Sequence, residues 1–335
     1  TSAGFVPATI NIGGTASTIT ARSPIDITNT SFGSGATFAS ITSTNSTGKA
    51  VNLDNVTGPV VINGGSISTT ISTGIAFDVN AGSSTITYTG TISYSGSSTG
   101  RTVEVTGRTG GTVTLSGNIS TSVGTGINVA NNTGGTIVFS GASKSLSTGA
   151  NTAITLSSNT GATINFTGGG FALTTTGGAG FTATGGGTVN VTGAGNTINS
   201  STGTALNVVS TTIGASGLTF QSISSSGGTS TGIILNNTGA SGGLTVTGDG
   251  SNTSVGGNSS GGTIANKSGS DLSYTTGVGI YLNNTRNVVL RRMTINGTNQ
   301  NHGIRGFLVT NFILEYCTVG GTNGTNTANN GTDDY

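Results

Sequence analysis

Residues 102–120 read TVEVTGRTGGTVTLSGNIS, and this stretch decides the fold. It holds three short segments in which apolar and polar residues alternate, separated by turns rich in Gly and Ser. Val103 and Val105 flank Glu104, a second apolar pair flanks a Thr, and Ile119 marks the third segment. Alternation places successive side chains on opposite faces of a strand. The stretch therefore predicts three short strands, each with one apolar face, and no helix.

The first of these segments recurs along the chain as a five-residue pattern. Its third residue is always apolar, its fourth is mostly polar, and its second is small. The copies are SPIDI (23–27), KAVNL (49–53), IAFDV (75–79), RTVEV (101–105), TGINV (125–129), TAITL (152–156), AGFTA (179–183), TALNV (204–208), TGIIL (231–235), VGIYL (278–282) and HGIRG (302–306). They begin 26, 26, 26, 24, 27, 27, 25, 27, 47 and 24 residues apart. Such a period indicates units that stack on their neighbours.

Each repeat also offers a second alternating segment and a third, shorter one. The second segments are TITYTG (85–90), TVTLSG (112–117), TIVFSG (136–141), TINFTG (163–168), TVNVTG (188–193), LTFQS (218–222) and LTVTG (244–248). The third segments are marked by Ile67, Ile92, Ile119, Leu146, Ile198 and Ile223. Three strands in ~25 residues predict a right-handed parallel β-helix of about eleven coils of 24–27 residues. A β-propeller needs blades of ~40 residues, longer than these repeats. A β-sandwich would not explain why the same residue classes recur in columns. Calcium-binding nonapeptide repeats need a periodic Asp that this chain lacks.

The predicted organisation is a single β-helix over residues 1–319. The long interval of 47 residues is explained by a loop, GDGSNTSVGGNSSGG (248–262), inserted into one repeat. Residues 320–335, rich in Gly, Asn and Thr, are expected to form a tail or a linker to further sequence. The N-terminal TSAGFVPATI has no initiator Met and no signal-peptide pattern, so we expect a processed product or a piece of a longer protein.

Composition excludes several classes of partner. A formal net charge of +1 with 6% charged residues gives no electrostatic steering toward nucleic acid or anionic membranes. The single cysteine excludes an internal disulfide framework, and no apolar run approaches the ~20 residues that span a bilayer. The 32% of hydrophobic residues stand at alternating positions, which argues against disorder. The sequence predicts no cofactor.

Carboxylates recur at the fourth position of the pattern. Asp26, Asp78 and Glu104 occupy it, and Asn52 stands between the first two. Asp78 and Glu104, with Arg101 beside them, are candidates for an acid and base pair, and Asp26, Asn52 and Asp78 are candidates for a Ca²⁺ site. The favoured interpretation is a solvated charged strip, because stacked coils align side chains whatever the function. Basic residues that would offset its charge stand at the strand starts: Arg22, Lys49 and Arg101.

A second ionisable group lies near the C-terminal end. Its members are Arg291, Arg292, His302, Arg305 and Glu315. Aligning NVVLRRMTI with NFILEYCTV stacks Arg291 on Glu315 and Met293 on Cys317. The first pair predicts an exposed ion pair worth well under ~1 kcal/mol. The second predicts that Cys317 faces the core and is not a nucleophile, and no motif gives His302 a catalytic partner.

The second segments also predict an outward array of hydroxyl groups. Its rows are Thr85/Thr87/Thr89, Thr112/Thr114/Ser116, Thr163/Asn165/Thr167 and Thr188/Asn190/Thr192. A flat array of this kind could bind ice or adsorb to polysaccharide, although Val138, Asn165 and Asn190 break the regularity that ice requires. Thr is also simply a favourable outward residue in strands.

Two parts of the chain resemble known proteins. The last repeats, GIYLNNTRNVVLRRMTINGTNQNHGIRGFLVTNFILEYCTVGG, resemble coils of pectate-lyase-like β-helix proteins. TGINVANNTGGTIVFSG and GFTATGGGTVNVTGAGNTINSSTGTALNV resemble secreted bacterial β-strand-repeat or autotransporter-like proteins. The resemblance implies an extracellular stalk, adhesin or surface-layer component, and the chain lacks the clustered carboxylates and basic residues of the enzymatic relatives.

These observations lead to two functional hypotheses. The first is a non-enzymatic, extracellular or cell-surface rod with a structural or adhesive role, exported by bacterial-type secretion. Neither end shows an amphipathic cap, so the rod would stack end to end into filaments or join flanking domains of a longer parent. The alternative is a carbohydrate-active or polysaccharide-binding β-helix protein that uses the Asp26, Asp78 and Glu104 face.

Overall fold

A computed structural model describes residues 18–21, 24–46, 48–271 and 273–324, and its regular structure is entirely β. The strands pair in parallel, in one sheet of 12 strands and one of 20 strands. The larger sheet contains two ladders side by side, joined in the last two coils by strands that run through both. Three ladders with one strand each per coil confirm the predicted parallel β-solenoid. No helix in the described residues is long and apolar enough to cross a bilayer.

The eleven coils are numbered here from their first-ladder strands. The first ladder contains Ile25–Thr28, Lys49–Asp54, Ile75–Asn80, Arg101–Thr106, Ile127–Ala130, Ile154–Ser157, Phe181–Thr184, Leu206–Val209, Ile233–Asn236 and the first parts of Val278–Arg291 and His302–Glu315. The second contains Ala36–Phe38, Val60–Ile62, Ile86–Tyr88, Thr109–Leu115, Gly134–Phe139, Thr163–Phe166, Thr188–Val191, Thr212–Phe220, Leu244–Val246 and the second parts of the same two long strands. The third contains one strand that precedes coil 1, Thr18–Ala21, and then Ser40–Thr44, Ser66–Thr69, Thr91–Tyr94, Ile119–Thr121, Lys144–Gly149, Phe171–Thr175, Thr197–Ser200, Ser222–Ser226, Gly262–Ala265, Met293–Asn296 and Thr318–Val319.

The strand register follows the sequence pattern. Ile25 pairs with Val51 and Val51 with Phe77, and the pairing continues coil by coil to Ile280 with Ile304. The predicted alignment is confirmed at every step, including the one across the long interval. Apolar residues repeat at these positions because each must cover the residue beneath it.

One hydrophobic core runs through the coils. Val103 is fully buried, and the rings of Phe139 and Phe166 on adjacent coils stack with centroids 4.7 Å apart. Fully burying such side chains stabilises the fold by roughly 1.5–3 kcal/mol each. The small second residue of the pattern has a related cause. Gly126 has φ of 61°, and a Cβ added there would lie 2.1 Å from the carbonyl oxygen of Ala153 on the next coil, so a left-handed backbone and the close packing of coils both favour glycine at this residue.

The corner between the first and second ladders has a fixed backbone conformation. One residue there has φ between 44° and 76° in each of the eleven coils. The series is Asn29, Asn55, Ala81, Gly107, Asn131, Ser158, Gly185, Ser210, Asn237, Asn284 and Leu308. Asn, Gly and Ser dominate because a left-handed backbone is strained for most side chains.

The long interval contains two loops, not one. Residues 247–261 and the described part of 266–277 contain no strand, so the extra length is divided between two corners of coil 9. The first loop is anchored by Arg292, whose Nε donates to the Asn252 carbonyl at 2.5 Å and whose Nη1 donates to the Thr247 carbonyl at 2.7 Å. Residues 1–17, where the sequence predicts no cap, Arg22, and residues 325–335 of the expected tail lie outside the described residues.

Candidate functional site

The predicted carboxylates do form one column, which we call the acidic ladder: Asp26, Asn52, Asp78 and Glu104. They are register partners on coils 1 to 4. Asn52 Nδ2 donates to Asp26 Oδ1 at 2.7 Å, and Asn128 on coil 5 donates from Nδ2 to Glu104 Oε1 at 2.8 Å. Amide and carboxylate groups therefore hydrogen-bond from coil to coil at both ends of the column.

Two basic residues complete this arrangement. Lys49 forms an ion pair with Asp78 and also donates to Asn52 Oδ1 at 3.1 Å. Arg101 Nε lies 3.6 Å from Glu104 Oε1. Asp78 is only 2% exposed and Asn52 only 9%, so the prediction of a solvated strip is wrong at the centre of the ladder. Asn52 and Asp78 are covered by their neighbours on the adjacent coils and by the Lys49 side chain.

Burial changes the acid–base behaviour of Asp78. Loss of hydration raises the pKa of its carboxyl group, the contact with Lys49 lowers it, and the charges of Glu104 and Asp54 raise it, with a net upward shift. A raised carboxyl pKa is a property of many general acids. Here, however, the carboxyl group is covered and engaged with an ammonium group, so it is not presented to a substrate.

The Ca²⁺ interpretation meets a similar difficulty. The Asn52 amide oxygen accepts from Lys49, and the same ammonium group contacts Asp78. A cation already occupies the place where Ca²⁺ would join these oxygens. Among residues that the structure describes, no group of three or more His, Cys, Asp or Glu side chains is arranged to hold a metal ion. The acidic ladder is thus a salt-bridged part of the coil stack.

The C-terminal group divides into separate contacts. Arg291 Nε donates to Glu315 Oε2 at 2.6 Å, and both side chains are about one-third exposed or more, at 33% and 42%. This is the predicted ion pair. Cys317 lies under Met293, whose backbone N–H donates to Cys317 Sγ at 3.3 Å. Burial raises the pKa of the Cys317 thiol, which disfavours the nucleophilic thiolate form.

The remaining members of that group do not converge. Arg292 is 6% exposed and holds the first loop of coil 9. The guanidinium carbon of Arg305 lies 3.7 Å from the ring centroid of Tyr274, and Arg305 Nη1 is 3.5 Å from His302 Nε2. These contacts fix side chains on the last coils and assemble no common site.

A different surface, which we call the hydroxyl face, covers the second ladder on coils 3 to 7. Its rows are Thr85/Thr87/Thr89, Thr112/Thr114/Ser116, Thr136/Val138/Ser140, Thr163/Asn165/Thr167 and Thr188/Asn190/Thr192. Register pairs link its columns, for example Thr112 to Thr136 and Thr136 to Thr163. Ser116 Oγ donates to the Tyr88 carbonyl. None of the other hydroxyl groups of this face forms a hydrogen bond within the described structure.

Three buried cations were not foreseen from the sequence. Arg108, Lys144 and Lys267 are each at most 1% exposed. Their side chains donate to backbone carbonyls at the coil corners, as from Lys144 Nζ to the Thr167 carbonyl at 3.0 Å and from Lys267 Nζ to the Gly227 carbonyl at 2.7 Å. Loss of hydration lowers the pKa of both lysines to about 8 and that of Arg108 to about 10.

One sequence signal could have located the first of these lysines. Lys144 occupies an inward column between Ile119 and Phe171, where the pattern requires an apolar residue. All three cations satisfy carbonyl groups of the turns, and their role is structural.

Comparisons of the chain with protein-family models, with curated proteins and with solved structures gave no match. The geometry of the coils and of their side-chain ladders is therefore the basis for the functional argument.

Proposed function

We propose that the protein is a non-enzymatic extracellular rod with a structural or adhesive role, of the kind found among secreted bacterial β-strand-repeat and autotransporter-like proteins. The observation that carries the proposal is the single core that runs uninterrupted through the stack of coils. From the strand spacing, eleven coils give a rod on the order of 50 Å long. A continuous core with three parallel ladders resists bending, and this is the property that a stalk or spacer needs.

The surface chemistry supports the same proposal. Ionisable side chains are few and are used to hold coils together, as Lys49 does with Asp78 and Arg291 with Glu315. Large areas of the surface carry hydroxyl and amide groups in regular columns. Such faces suit extended contact with another surface better than they suit the focused chemistry of an active site.

The last coil offers a place for assembly. Its apolar side chains are unusually exposed, with Phe307 at 61%, Leu308 at 65% and Leu314 at 39%. An apolar recess of about 290 Å³, lined in part by Ile304 and Phe312, opens at this end of the core. We propose that a second copy of the chain stacks on this coil, which would extend both the strand pairing and the core.

Electron microscopy combined with a glycan-degradation assay tests this function. We expect stiff rods that lengthen with protein concentration, and no reducing-sugar release from a panel of neutral and acidic polysaccharides. Particles of a single rod's length at every concentration would remove end-to-end assembly from the proposal, and release of reducing sugar would contradict the non-enzymatic role.

The raised pKa of Asp78 beside Glu104 is the observation that favours the alternative, a carbohydrate-active or polysaccharide-binding protein using the acidic ladder. That reading requires sugar release or binding that Asp78→Asn with Glu104→Gln abolishes. If the protein is a structural rod, the same double substitution should leave the length and the assembly of the rods unchanged.

A further inference from the structure

We propose that the hydroxyl face of coils 3 to 7 is an adsorption surface for an uncharged polysaccharide. This inference rests on the proposed adhesive role and names the face and the partner through which that role would be exercised. It concerns a different side of the molecule from the acidic ladder.

The first argument is the unused hydrogen-bonding capacity of this face. Thr114 and Thr163 point outward and are partly exposed, and neither hydroxyl group has a partner within the described structure. A hydroxyl group provides one donor and two acceptor sites. A partner that carries many hydroxyl groups can use both kinds of site at once, as a polysaccharide does.

The second argument is the absence of charge. All fifteen positions of the hydroxyl face are Thr, Ser, Asn or Val. An anionic or cationic polymer would gain no electrostatic attraction there, whereas a neutral polymer loses no ionic hydration on contact. The acidic ladder differs in this respect, because it carries ionised side chains of both signs.

The third argument is rigidity. The face lies on a parallel ladder, so its rows are ~4.8 Å apart and its columns ~6.6 Å apart. Most of its side chains are β-branched and stiff about χ1, so little conformational entropy is lost when a partner immobilises them. Such a regular surface matches a partner with its own repeat, such as aligned chains in an insoluble polysaccharide.

Irregularity in the central column favours polysaccharide over ice. Val138, Asn165 and Asn190 replace Thr there, and Asn190 is recessed, with 9% exposure and an amide that donates to Asn165 Oδ1 at 2.9 Å. An ice lattice needs strict repetition of the same group. A sugar chain tolerates amide groups, which donate to and accept from its hydroxyl groups.

Binding to insoluble glycans tests the inference. The probes are microcrystalline cellulose and chitin as neutral polymers, a polygalacturonate gel as the anionic polymer, and ice through thermal hysteresis. We expect the protein to sediment with a neutral polymer, with little change when salt is added, because no ion pairs form.

Substitutions identify the face. Thr114→Val with Thr136→Val removes two unpartnered hydroxyl groups on adjacent coils without changing shape, so the melting temperature stays constant while affinity falls about tenfold. Thr155→Val with Thr182→Val is the matched control, because these residues pair on adjacent coils of the first ladder. The control should bind like the unmodified chain.

Three outcomes would overturn the inference: equal binding by both double variants, binding to polygalacturonate alone, or thermal hysteresis without glycan binding. These outcomes leave the proposed rod intact, because its shape and assembly are measured separately by microscopy. If the chain forms no rods, the proposed function fails first, whatever the glycan result.

Discussion

At one corner between the first and second ladders, the residue type does not suit the left-handed backbone conformation. Ala81 has φ of 52°, where an L-residue other than Asn or Gly costs roughly 1–2 kcal/mol. At the same corner, Asn55 Nδ2 donates to Asn29 Oδ1 at 2.7 Å. We expect Ala81→Asn to raise the free energy of unfolding by about 1 kcal/mol, because Asn tolerates this conformation and continues the amide ladder.

Urea denaturation of the variant measures this effect. Ala172→Asn is the control, because Ala172 is also accessible but lies within a third-ladder strand and is absent from the positive-φ positions. There, Asn should be neutral or slightly destabilising. A gain at Ala172 equal to that at Ala81 would show that the corner conformation is not the cause.

The buried lysines predict an unusual pH dependence of stability. Burial lowers the pKa of Lys144 and Lys267 from 10.5 to about 8 in the folded chain. Between pH 8 and about 10 the unfolded chain therefore binds more protons than the folded one, and the free energy of unfolding rises with pH. The slope approaches about 1.4 kcal/mol per pH unit for each lysine. Above about pH 10 the raised pKa of Tyr88 acts in the opposite direction, because only the unfolded tyrosine ionises.

Unfolding curves measured from pH 7 to pH 10 check this prediction. The rise in the free energy of unfolding with pH should be smaller in Lys144→Met, and it should be nearly absent in the double variant that also carries Lys267→Met. A rise of the same size in the double variant would mean that other groups cause it.

At the scale of a single ladder, the ion pair on coils 2 and 3 should respond asymmetrically to substitution. Lys49 is 42% exposed in its side chain, whereas the Asp78 side chain is 3% exposed. Asp78→Asn leaves a lysine that water can hydrate, so we expect a loss below about 1 kcal/mol. Lys49→Met leaves a buried carboxyl group without its cation, and we expect a loss of about 2–3 kcal/mol at pH 7.

The pH dependence separates this effect from lost packing. The folded pKa of Asp78 is already raised, and it should rise further without Lys49. The folded chain then binds a proton more readily than the unfolded chain, so the deficit of Lys49→Met should shrink as pH falls toward 4. A deficit that is constant with pH would indicate that only the lysine stem matters. Lys49→Met combined with Asp78→Asn should recover most of the loss.

The strands were predictable because the inward residues obey a local rule that repeats. The pairing of Ile233 with Ile280 across the long interval follows from that rule alone. Burial of Asp78 was not predictable in the same way, since it depends on the path of the Lys49 side chain between coils. Lys144 stands out in the sequence as a basic residue in an inward column, but its partners do not, because its ammonium group meets carbonyls contributed by turns of two coils.

For the whole molecule, a stack of coils has one core but two ends, and each coil is stabilised by its neighbours. On coil 11, Phe312 and Leu314 continue the columns that Val288 and Leu290 occupy on coil 10, yet they are 40% and 39% exposed. Burying this surface against another copy is favourable by roughly 25 cal/mol per Å². We therefore expect association that increases with concentration in sedimentation velocity, and its loss in Phe312→Lys with Leu314→Lys.

Thr155→Lys with Thr182→Lys adds the same charge to the side of the rod and should leave association unchanged. Equal loss in both variants would indicate charge repulsion between rods instead of a blocked end, and a monomer at all concentrations would remove end-to-end stacking from the proposed function.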